Sequence, residues 1–417
     1  MKIDQYAFLI IVLIGLFGCD STTSGPENKK ETEALGFVAS SVGLPATGQW
    51  REGLTFFDIN KDGNMDILAP PPRMASKGYD RPLVWYGDSK GKWSEFPLDV
   101  PPDIGYDYGS IAIGDFDGDG IADIALGVHS QGVKVLRGTD KGKYVDFSDG
   151  LPGRQEFVSR ALAAADFTND GIPDIAAAAE AKFGDDRAFP SGGRVFSWSK
   201  EGWRSYPLGE TKEVEGLFAD GLATGDVNGD GNRDIAIASL QHNKDLIVWI
   251  GDGKGGFTPF NKGLPQEVHY PSVDLADING DGRDDLIASI TGFGKKGING
   301  LRVFLSGPDG FTEVSEGLPD EEVFFALRAS DIDGDGSVEI VGGTAGVGGL
   351  KVFTRKGDRW KKVQVSGLPQ SGLDRISNIY LIDLNRDGKK DIIVNYAVGH
   401  GTHDGGIRVF LNAPHKD

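Results

Sequence analysis

Residues 115–123 read DFDGDGIAD, and six further segments of the chain repeat this acidic nine-residue pattern. All copies have Asp at position 1, an oxygen-bearing side chain at position 3, Asp-Gly at positions 5 and 6, and a carboxylate at position 9. The other copies are DINKDGNMD from Asp58, DFTNDGIPD from Asp166, DVNGDGNRD from Asp226, DINGDGRDD from Asp277, DIDGDGSVE from Asp331 and DLNRDGKKD from Asp383. Consecutive copies begin 51 to 60 residues apart. A repeat of this length predicts an array of equivalent structural units.

Each unit contains four short apolar segments that are typical of β-strands. SIAIGDF, from Ser110, leads into an acidic loop, and DIALGV, from Asp123, leaves it. A third segment follows, such as VKVLRG from Val133, and then a fourth, such as FTPFNKGLP from Phe257. Four antiparallel strands separated by Gly and Asp turns predict one blade of a β-propeller.

The two ends of the repeat array complement each other. The last unit stops after its third strand, at Asn412, whereas FVASSVGLP, from Phe37, is a spare fourth strand before the first unit. We therefore predict an all-β fold over residues 37–412: a seven-bladed β-propeller of four-stranded antiparallel blades, in which the N-terminal strand completes the last blade. We expect residues 413–417 to be a short C-terminal tail.

The N-terminal segment differs from the repeats. Residues 1–18 contain an apolar run that is short for a membrane span and is typical of a secretory signal peptide. The run ends at Cys19, the only cysteine of the chain, in a setting that resembles a bacterial lipobox. We expect lipidation at Cys19 and a flexible tether over residues 19–36, which would anchor the protein to a membrane of the bacterial cell envelope, on its periplasmic or cell-surface side. An uncleaved signal anchor and ordinary secretion are the alternatives.

The acidic loops offer the ligands that calcium prefers. Ca²⁺ takes six to eight hard oxygen ligands in a tolerant geometry, and the Gly at position 6 allows the sharp turn that wraps a chain around the ion. No Cys or His occurs in the loops, which disfavours zinc and copper. The alternative is a tight Asp/Asn-Gly turn without a metal. Seven such clusters of like charge favour a cation, and we predict up to seven Ca²⁺ ions.

The predicted ligands are the side chains at positions 1, 3, 5 and 9 of every loop. They are Asp58, Asn60, Asp62, Asp66, Asp115, Asp117, Asp119, Asp123, Asp166, Thr168, Asp170, Asp174, Asp226, Asn228, Asp230, Asp234, Asp277, Asn279, Asp281, Asp285, Asp331, Asp333, Asp335, Glu339, Asp383, Asn385, Asp387 and Asp391. The loops at Asp115 and Asp331 carry four carboxylates each and should bind best. The loop at Asp166, with Thr168 at position 3, should bind most weakly.

The charge of the chain fits this interpretation. The formal net charge is −19, and seven bound calcium ions would neutralise most of it. Nucleic acid requires a basic surface, so the composition disfavours nucleic acid as a partner.

The segment YGSIAIGDFDGDGIADIALGV, from Tyr108, resembles the FG-GAP repeat of integrin α-chain propellers, and the whole set resembles bacterial FG-GAP/VCBS repeat proteins. The resemblance implies a seven-bladed propeller with calcium in the hairpin between the first and second strands of a blade. It also implies that ligands or partners bind on the opposite face. Members of the family include adhesins, lectin-like binders, assembly scaffolds and polysaccharide-active enzymes, so the resemblance does not select one function.

We expect the ligand face to be built from the loops between second and third strands and from the links between blades. The candidate residues there are Trp50, Arg51, Tyr106, Tyr108, Arg160, His269, Tyr270, His400 and His403. Aromatic and arginine side chains suit a sugar or peptide site, although ordinary loop composition is the alternative. His400 and His403 could bind a metal or act in catalysis, but their spacing matches no strong zinc motif. No common catalytic fingerprint occurs in the chain.

These observations favour a monomeric, membrane-tethered, calcium-binding propeller that engages a glycan or protein partner. One alternative is a polysaccharide lyase or hydrolase on the same propeller, which would need Arg, His or Tyr around the channel mouth. A second alternative is a scaffold for envelope assembly, without a small ligand.

Overall fold

The computed structural model describes residues 35–51, 53–73, 79–129, 131–153, 156–157, 159–179, 192–209, 219–239, 246–265, 268–292, 298–346, 348–398 and 404–413. These residues form strands, turns and one short 3-10 helix, Pro102–Ile104, and belong to a compact unit spanning Ala34–Asp417. Within the described ranges, no helix has the length and apolarity needed to cross a bilayer.

The strands form seven four-stranded antiparallel sheets, one for each sequence repeat. Blade 1 contains β2 (Thr55–Phe57), β3 (Asp66–Ala69), β4 (Leu83–Gly87) and β5 (Trp93–Pro97). Blade 2 contains β6 (Gly109–Gly114), β7 (Asp123–Val128), β8 (Gly132–Gly138) and β9 (Tyr144–Asp146). Blade 3 contains β10 (Ser159–Ala165), β11 (Asp174–Ala179), β12 (Gly193–Ser199) and β13 (Gly202–Leu208). Blade 4 contains β14 (Ala219–Gly225), β15 (Asp234–Ser239), β16 (Leu246–Gly251) and β17 (Phe257–Pro259). Blade 5 contains β18 (His269–Ala276), β19 (Asp285–Thr291), β20 (Asn299–Gly307) and β21 (Gly310–Glu313). Blade 6 contains β22 (Phe324–Ser330), β23 (Glu339–Thr344), β24 (Leu350–Lys356) and β25 (Arg359–Val363).

Blade 7 combines the two ends of the propeller. Its strands are β26 (Arg375–Ile382), β27 (Asp391–Ala397), β28 (Gly405–Asn412) and the N-terminal β1 (Phe37–Ala39). β1 pairs antiparallel with β28, with Phe37 opposite Asn412. The prediction that the N-terminal strand completes the last blade is therefore confirmed.

The hydrophobic core is divided among the interfaces between blades. The described residues form seven clusters of buried side chains, and each cluster joins residues of two consecutive blades. One of them joins Trp50 and Ile67, at blade 1, to Ile393 and Val409 of blade 7. Because this cluster links the last blade to the first, the ring is closed.

The second strand of each blade is rich in Ala and β-branched residues because it is buried on both sides. All six residues of β11, DIAAAA, are buried, as are those of β7 and β15. A strand covered on both sides by neighbouring sheets reads as a continuous apolar run, and small side chains let those sheets approach closely.

The first strands surround the central channel, and neighbouring first strands contact each other. Each runs toward an acidic loop at its C-terminal end. The ring therefore has two faces: the loop face, which carries the seven acidic loops, and the opposite face, where the first strands begin.

Candidate functional site

The acidic loops share one network of hydrogen bonds, and the loop at Asp115 is representative. The carboxylate of Asp115 accepts hydrogen bonds from the backbone N–H groups of Asp119, at 2.9 Å, and Gly120, at 2.8 Å. The carboxylate of Asp119 accepts one from the N–H of Ile121, at 2.8 Å. These side-chain bonds shape the turn by themselves.

The backbone of the loops is left-handed at two positions. Every Gly at position 6 has a positive φ, between 85° and 92°. Position 4 is left-handed as well, and three copies place Lys61, Asn169 or Arg386 there at φ of 59°, 53° and 61°. The left-handed backbone at position 4 is a constraint that the sequence pattern alone did not reveal.

The carboxylate at position 9 connects the loop to the body of its blade. Asp123 is fully buried and accepts hydrogen bonds from the N–H of Phe116, at 2.9 Å, and from the N–H of Gly138 in β8, at 2.8 Å. The same two kinds of bond recur, for example, at Asp234 and Asp391. Position 9 therefore holds together the first three strands of a blade.

In two loops the carboxylates converge on one point. Oxygen atoms of Asp115, Asp117 and Asp123 all lie within 4.8 Å of one another, and those of Asp331, Asp333 and Glu339 do the same. Burial, with added repulsion from the neighbouring carboxylates, raises the pKa of Asp123 and of Glu339 to about 7. A hard divalent cation would relieve this repulsion, and the all-oxygen donor set fits Ca²⁺.

One cationic side chain lies against the Asp115 cluster. A nitrogen of Arg137 is 3.5 Å from an oxygen of Asp117, and 42% of the Arg137 side chain is exposed. The Asp117 side chain is only 8% exposed, so the pair is partly buried. One cation against three carboxylates offsets only part of their repulsion.

The loop at Asp166 keeps the turn but replaces one carboxylate. The hydroxyl of Thr168 donates a hydrogen bond to Asp174 at 3.1 Å, and the N–H of Thr168 donates to the same oxygen at 3.0 Å. Thr168 thus bonds twice to one oxygen of Asp174, and its hydroxyl stands where the Asp115 loop has a carboxylate. The weak cation binding expected of this copy remains a prediction.

Neighbouring loops are joined across blade boundaries. The carboxylate of Asp284 accepts from the N–H of Asp226 at 2.8 Å, and the N–H of Asp284 donates to the carbonyl of Asp226 at 2.7 Å. The side-chain amide of Asn412 donates to the carbonyl of Ile332 at 2.7 Å. An ion in one loop would therefore stabilise the contact with the next blade as well as its own turn.

On the opposite face, Tyr108 lies in an aromatic and basic group. Its ring stacks on His129, with centroids 4.3 Å apart and planes 20° apart, and the guanidinium of Arg73 is 5.4 Å from the Tyr108 centroid. All three side chains are half-buried, so each keeps part of its surface open to solvent.

Other predicted ligand-face residues are packing residues. Trp50 is 2% exposed, packs edge-on against Trp85 and donates its indole N–H to the carbonyl of Thr47. Tyr270 is fully buried, and its hydroxyl donates to the carbonyl of Pro265 at 3.0 Å. Because both side chains are buried, they pack inside the protein and do not form part of an open binding surface.

Tyr106 and His269 are half-buried at the opposite face. The Tyr106 hydroxyl donates to the carbonyl of Pro101 at 2.8 Å, and burial raises the pKa of this phenol to about 12. Tyr106 therefore remains neutral at physiological pH.

The central channel opens on the opposite face as a cavity of about 120 Å³, lined by first-strand or adjoining residues of all seven blades. Among the described residues, three arginines line it: the predicted Arg51, together with Arg328 of β22 and Arg375 of β26. Arg328 was not among the site residues predicted from the sequence. Its signal was a single charged residue inside the otherwise apolar first strand FFALRAS.

Several predicted residues lie outside the described part of the chain. They are residues 1–34 with Cys19, the pair His400 and His403, and the side chain of Arg160, whose backbone belongs to β10.

Comparison with known proteins identifies the repeats. Residues 226–288 and 331–394 match the model of the FG-GAP-like repeat, and residues 108–143 match that of the FG-GAP repeat. No curated protein matches the sequence significantly.

Two solved structures are similar to this chain. The chain is similar to BBS1N in the crystal structure of its complex with ARL6DN, soaked with lead, with a TM-score of 0.54, 10% identity, and coverage of 90% of this chain and 97% of that one. It is also similar to the exotype rhamnogalacturonan lyase YesX, with a TM-score of 0.48, 13% identity, and coverage of 90% and 76%. At these identities the similarities do not indicate a shared activity. The chain is a seven-bladed β-propeller that carries FG-GAP repeats.

Proposed function

We propose that this protein is a calcium-stabilised binding propeller whose opposite face engages a glycan or protein partner. A lipid on Cys19 would tether it to the bacterial cell envelope. The observation that carries the proposal is the channel mouth, because a cavity lined by all seven blades and three arginines lies away from the acidic loops.

Calcium has a structural role in this proposal. The loops bond to their own blades through position 9 and to neighbouring blades through contacts such as Asp284 with Asp226. Ions in these loops would rigidify the ring and hold the opposite face in shape.

The opposite face suits recognition better than the loop face does. It combines the Tyr108–His129 stack, the nearby Arg73 and the arginine-lined channel mouth. Aromatic and arginine side chains contribute most of the energy in many interfaces. A propeller of the same fold, BBS1N, forms a complex with the protein ARL6DN, so the fold is compatible with protein binding.

The channel mouth holds Arg and Tyr side chains of the kind that the lyase alternative would need, but the rest of its described lining favours binding over catalysis. Among the described residues that line the channel mouth, none is Asp, Glu or His, the usual general acids and bases. The hydroxyl of Tyr380, also in the lining, accepts a hydrogen bond from the N–H of Leu54 at 2.6 Å.

The test is binding of the full-length protein, in detergent and millimolar calcium, to glycan and peptide arrays. We expect a ligand whose binding falls at least about tenfold in Tyr108→Ala and is unchanged in Phe96→Ala. Phe96 is a suitable control because it lies on the fourth strand of blade 1 and is 48% exposed. Equal binding by both variants, or release of unsaturated sugars from an arrayed polysaccharide, would contradict the proposal.

A further inference from the structure

We infer that the outer edge of blade 6 docks onto an anionic phospholipid surface. The inference rests on the proposed function for the membrane tether alone, and it does not depend on any ligand at the opposite face. Its basis is a basic outer strand, a cavity beside that strand, and the place at which the described chain enters the propeller.

The segment that forms this edge is rich in basic residues. Residues 355–362 read RKGDRWKK, with five basic residues and one acid, and they cover the end of β24, the following turn and most of β25. β25 is the outermost strand of its sheet. The equivalent residues of blade 5, 306–313, read SGPDGFTE and contain two acids and no base. In a chain with a formal net charge of −19, residues 355–362 form a basic edge that attracts anions.

Three lysines of the basic edge keep their charge uncompensated. The two arginines are balanced, because Arg359 lies 3.1 Å from Glu316 and Arg355 lies 4.0 Å from Asp358. The exposed cations that form no ion pair with any residue in the described part of the chain are Lys356, Lys361 and Lys362. Lysines placed next to an anionic membrane are attracted to it, each by roughly fivefold in affinity.

A cavity of about 220 Å³ opens beside the basic edge. Its lining includes Lys362, together with Gln364, Gln370, Val363 and Val365. Ammonium and amide groups can donate hydrogen bonds to phosphate oxygens, and the valines offer apolar contact to the carbon atoms next to the phosphate. The cavity is smaller than the roughly 300–1,000 Å³ of ordinary ligand pockets, so it suits a lipid head group better than a whole lipid.

The described chain enters the propeller next to this cavity. The N–H of Ser366 donates to the carbonyl of Leu35 at 3.2 Å, and the N–H of Phe37 donates to the carbonyl of Ser366 at 3.0 Å. Ser366 is four residues after Lys362, and Leu35 is sixteen residues after Cys19. An extended chain of sixteen residues spans at most about 55 Å. A lipid on Cys19 would therefore keep the basic edge close to the membrane, at a high effective concentration.

The basic edge would act as a second membrane contact beside the lipid. A single acyl chain binds a membrane reversibly, and a basic surface next to it makes the attachment stable. Three lysines together should increase binding to an anionic surface on the order of 100-fold at low salt. We favour a membrane over an acidic protein because the tether brings the membrane to this edge. Docking through the outer edge of one blade leaves the opposite face uncovered for a partner.

The test is photo-crosslinking of the full-length protein on phosphatidylcholine vesicles that contain a photoreactive phosphatidylglycerol, in millimolar calcium. We expect this lipid to label residues 351–370 at least about tenfold more than the rest of the propeller. Labelling should fall at least about tenfold in the triple variant Lys356→Gln, Lys361→Gln and Lys362→Gln, and it should persist when the same lysines are replaced by Arg. The matched control is Lys141→Gln, Lys200→Gln and Lys254→Gln, which changes exposed lysines before the fourth strands of blades 2, 3 and 4 and should leave labelling unchanged.

The contrary outcomes separate this inference from the proposed function. Even labelling along the chain, labelling confined to the acidic loops, equal labelling by a photoreactive phosphatidylcholine, or equal labelling of the triple glutamine variant would overturn the inference. Loss of labelling in millimolar inorganic phosphate or in polyglutamate would overturn the choice of a lipid surface. A protein that stays on the vesicles but is not labelled at the basic edge would refute the inference and leave the proposed function standing. A protein that binds no vesicle would refute both the inference and the tether.

Discussion

The loops at Asp115 and Asp166 occupy the same place in neighbouring blades and have the same turn, yet they differ in chemistry. In both, the first Asp accepts two backbone N–H groups, and the last Asp accepts the N–H of position 2. Only the Asp115 loop brings three carboxylates together, because Thr168 in the other loop donates a hydrogen bond instead of adding a charge. The turn therefore folds through its own hydrogen bonds, and the number of carboxylates decides how strongly it attracts a cation.

The largest effect on stability should come from removing the carboxylate at position 9, because it bonds the loop to the strands of its blade. At pH 5, where Asp123 is protonated in the folded protein, Asp123→Ala leaves the buried N–H groups of Phe116 and Gly138 without their acceptor, which should cost about 2–6 kcal/mol of unfolding free energy even in EGTA. Asp119 is exposed and accepts one N–H at 2.8 Å, so Asp119→Ala should cost about 1 kcal/mol in EGTA and more in calcium. Urea unfolding measures both. Equal losses in EGTA would show that position 9 has no special structural role.

Exchanging chemistry between the two loops should move calcium affinity in opposite directions. Thr168→Asp should increase the calcium affinity of the loop at Asp166 at least about tenfold, which corresponds to about 1.4 kcal/mol of binding free energy. Asp117→Ala should lower the calcium affinity of the loop at Asp115 by a similar factor. Native mass spectrometry across a calcium titration reports both. Thr168→Asp should also lower the melting temperature in EGTA, because it adds a charge beside Asp174. A rise in EGTA would contradict this electrostatic explanation.

The buried carboxylates predict a dependence on pH that calcium removes. Burial raises the pKa of Asp123, Asp234 and Glu339 to about 7, whereas in the unfolded chain they titrate near pH 4. Their stabilising contribution is complete below about pH 4 and is lost as the pH rises to about 7, because the unfolded state releases protons first. Without calcium, the protein should therefore melt at a higher temperature at pH 5 than at pH 8. With saturating calcium, which binds the ionised groups, the difference should shrink or reverse. A higher calcium-free melting temperature at pH 8 would refute this explanation.

The smallest effect should come from position 4 of the loops. Lys61 has φ of 59°, in a conformation that costs a residue with a Cβ about 1–2 kcal/mol. Lys61→Gly removes this cost but increases the entropy of the unfolded chain, so we expect a net gain of about 0.5–1 kcal/mol. The reverse change is Gly334→Lys at φ of 79°, where nothing lies within 4 Å of an added Cβ. The substitution therefore adds backbone strain without a steric clash, and it should lower the unfolding free energy by a similar amount. A loss of stability in Lys61→Gly would show that its side chain contributes more than the strain costs.

The sequence predicted the ring because its signals are local and repeated. Residues such as Asp115 and Gly120 shape the turn within nine residues, and the spare strand at Phe37 predicted the closure with β28. The sequence predicted the ligand face less well, because burial there depends on neighbouring blades. Trp50 is an aromatic link residue in the sequence, but its side chain is packed against Trp85. Arg328 lies within a strand, and only the arrangement of the first strands places it beside Arg375 at the channel mouth.

The central claim is that calcium in the acidic loops stabilises the propeller, and thermal unfolding of the full-length protein tests it most directly. Each site held at one hundred times its Kd adds about 2.7 kcal/mol, so several filled loops should raise the melting temperature by at least about 10 °C over the value in EGTA. Restoring calcium should restore the higher melting temperature, and magnesium at the same concentration should not. A melting temperature that is the same in calcium and in EGTA would contradict the claim and leave the loops as turns that need no metal.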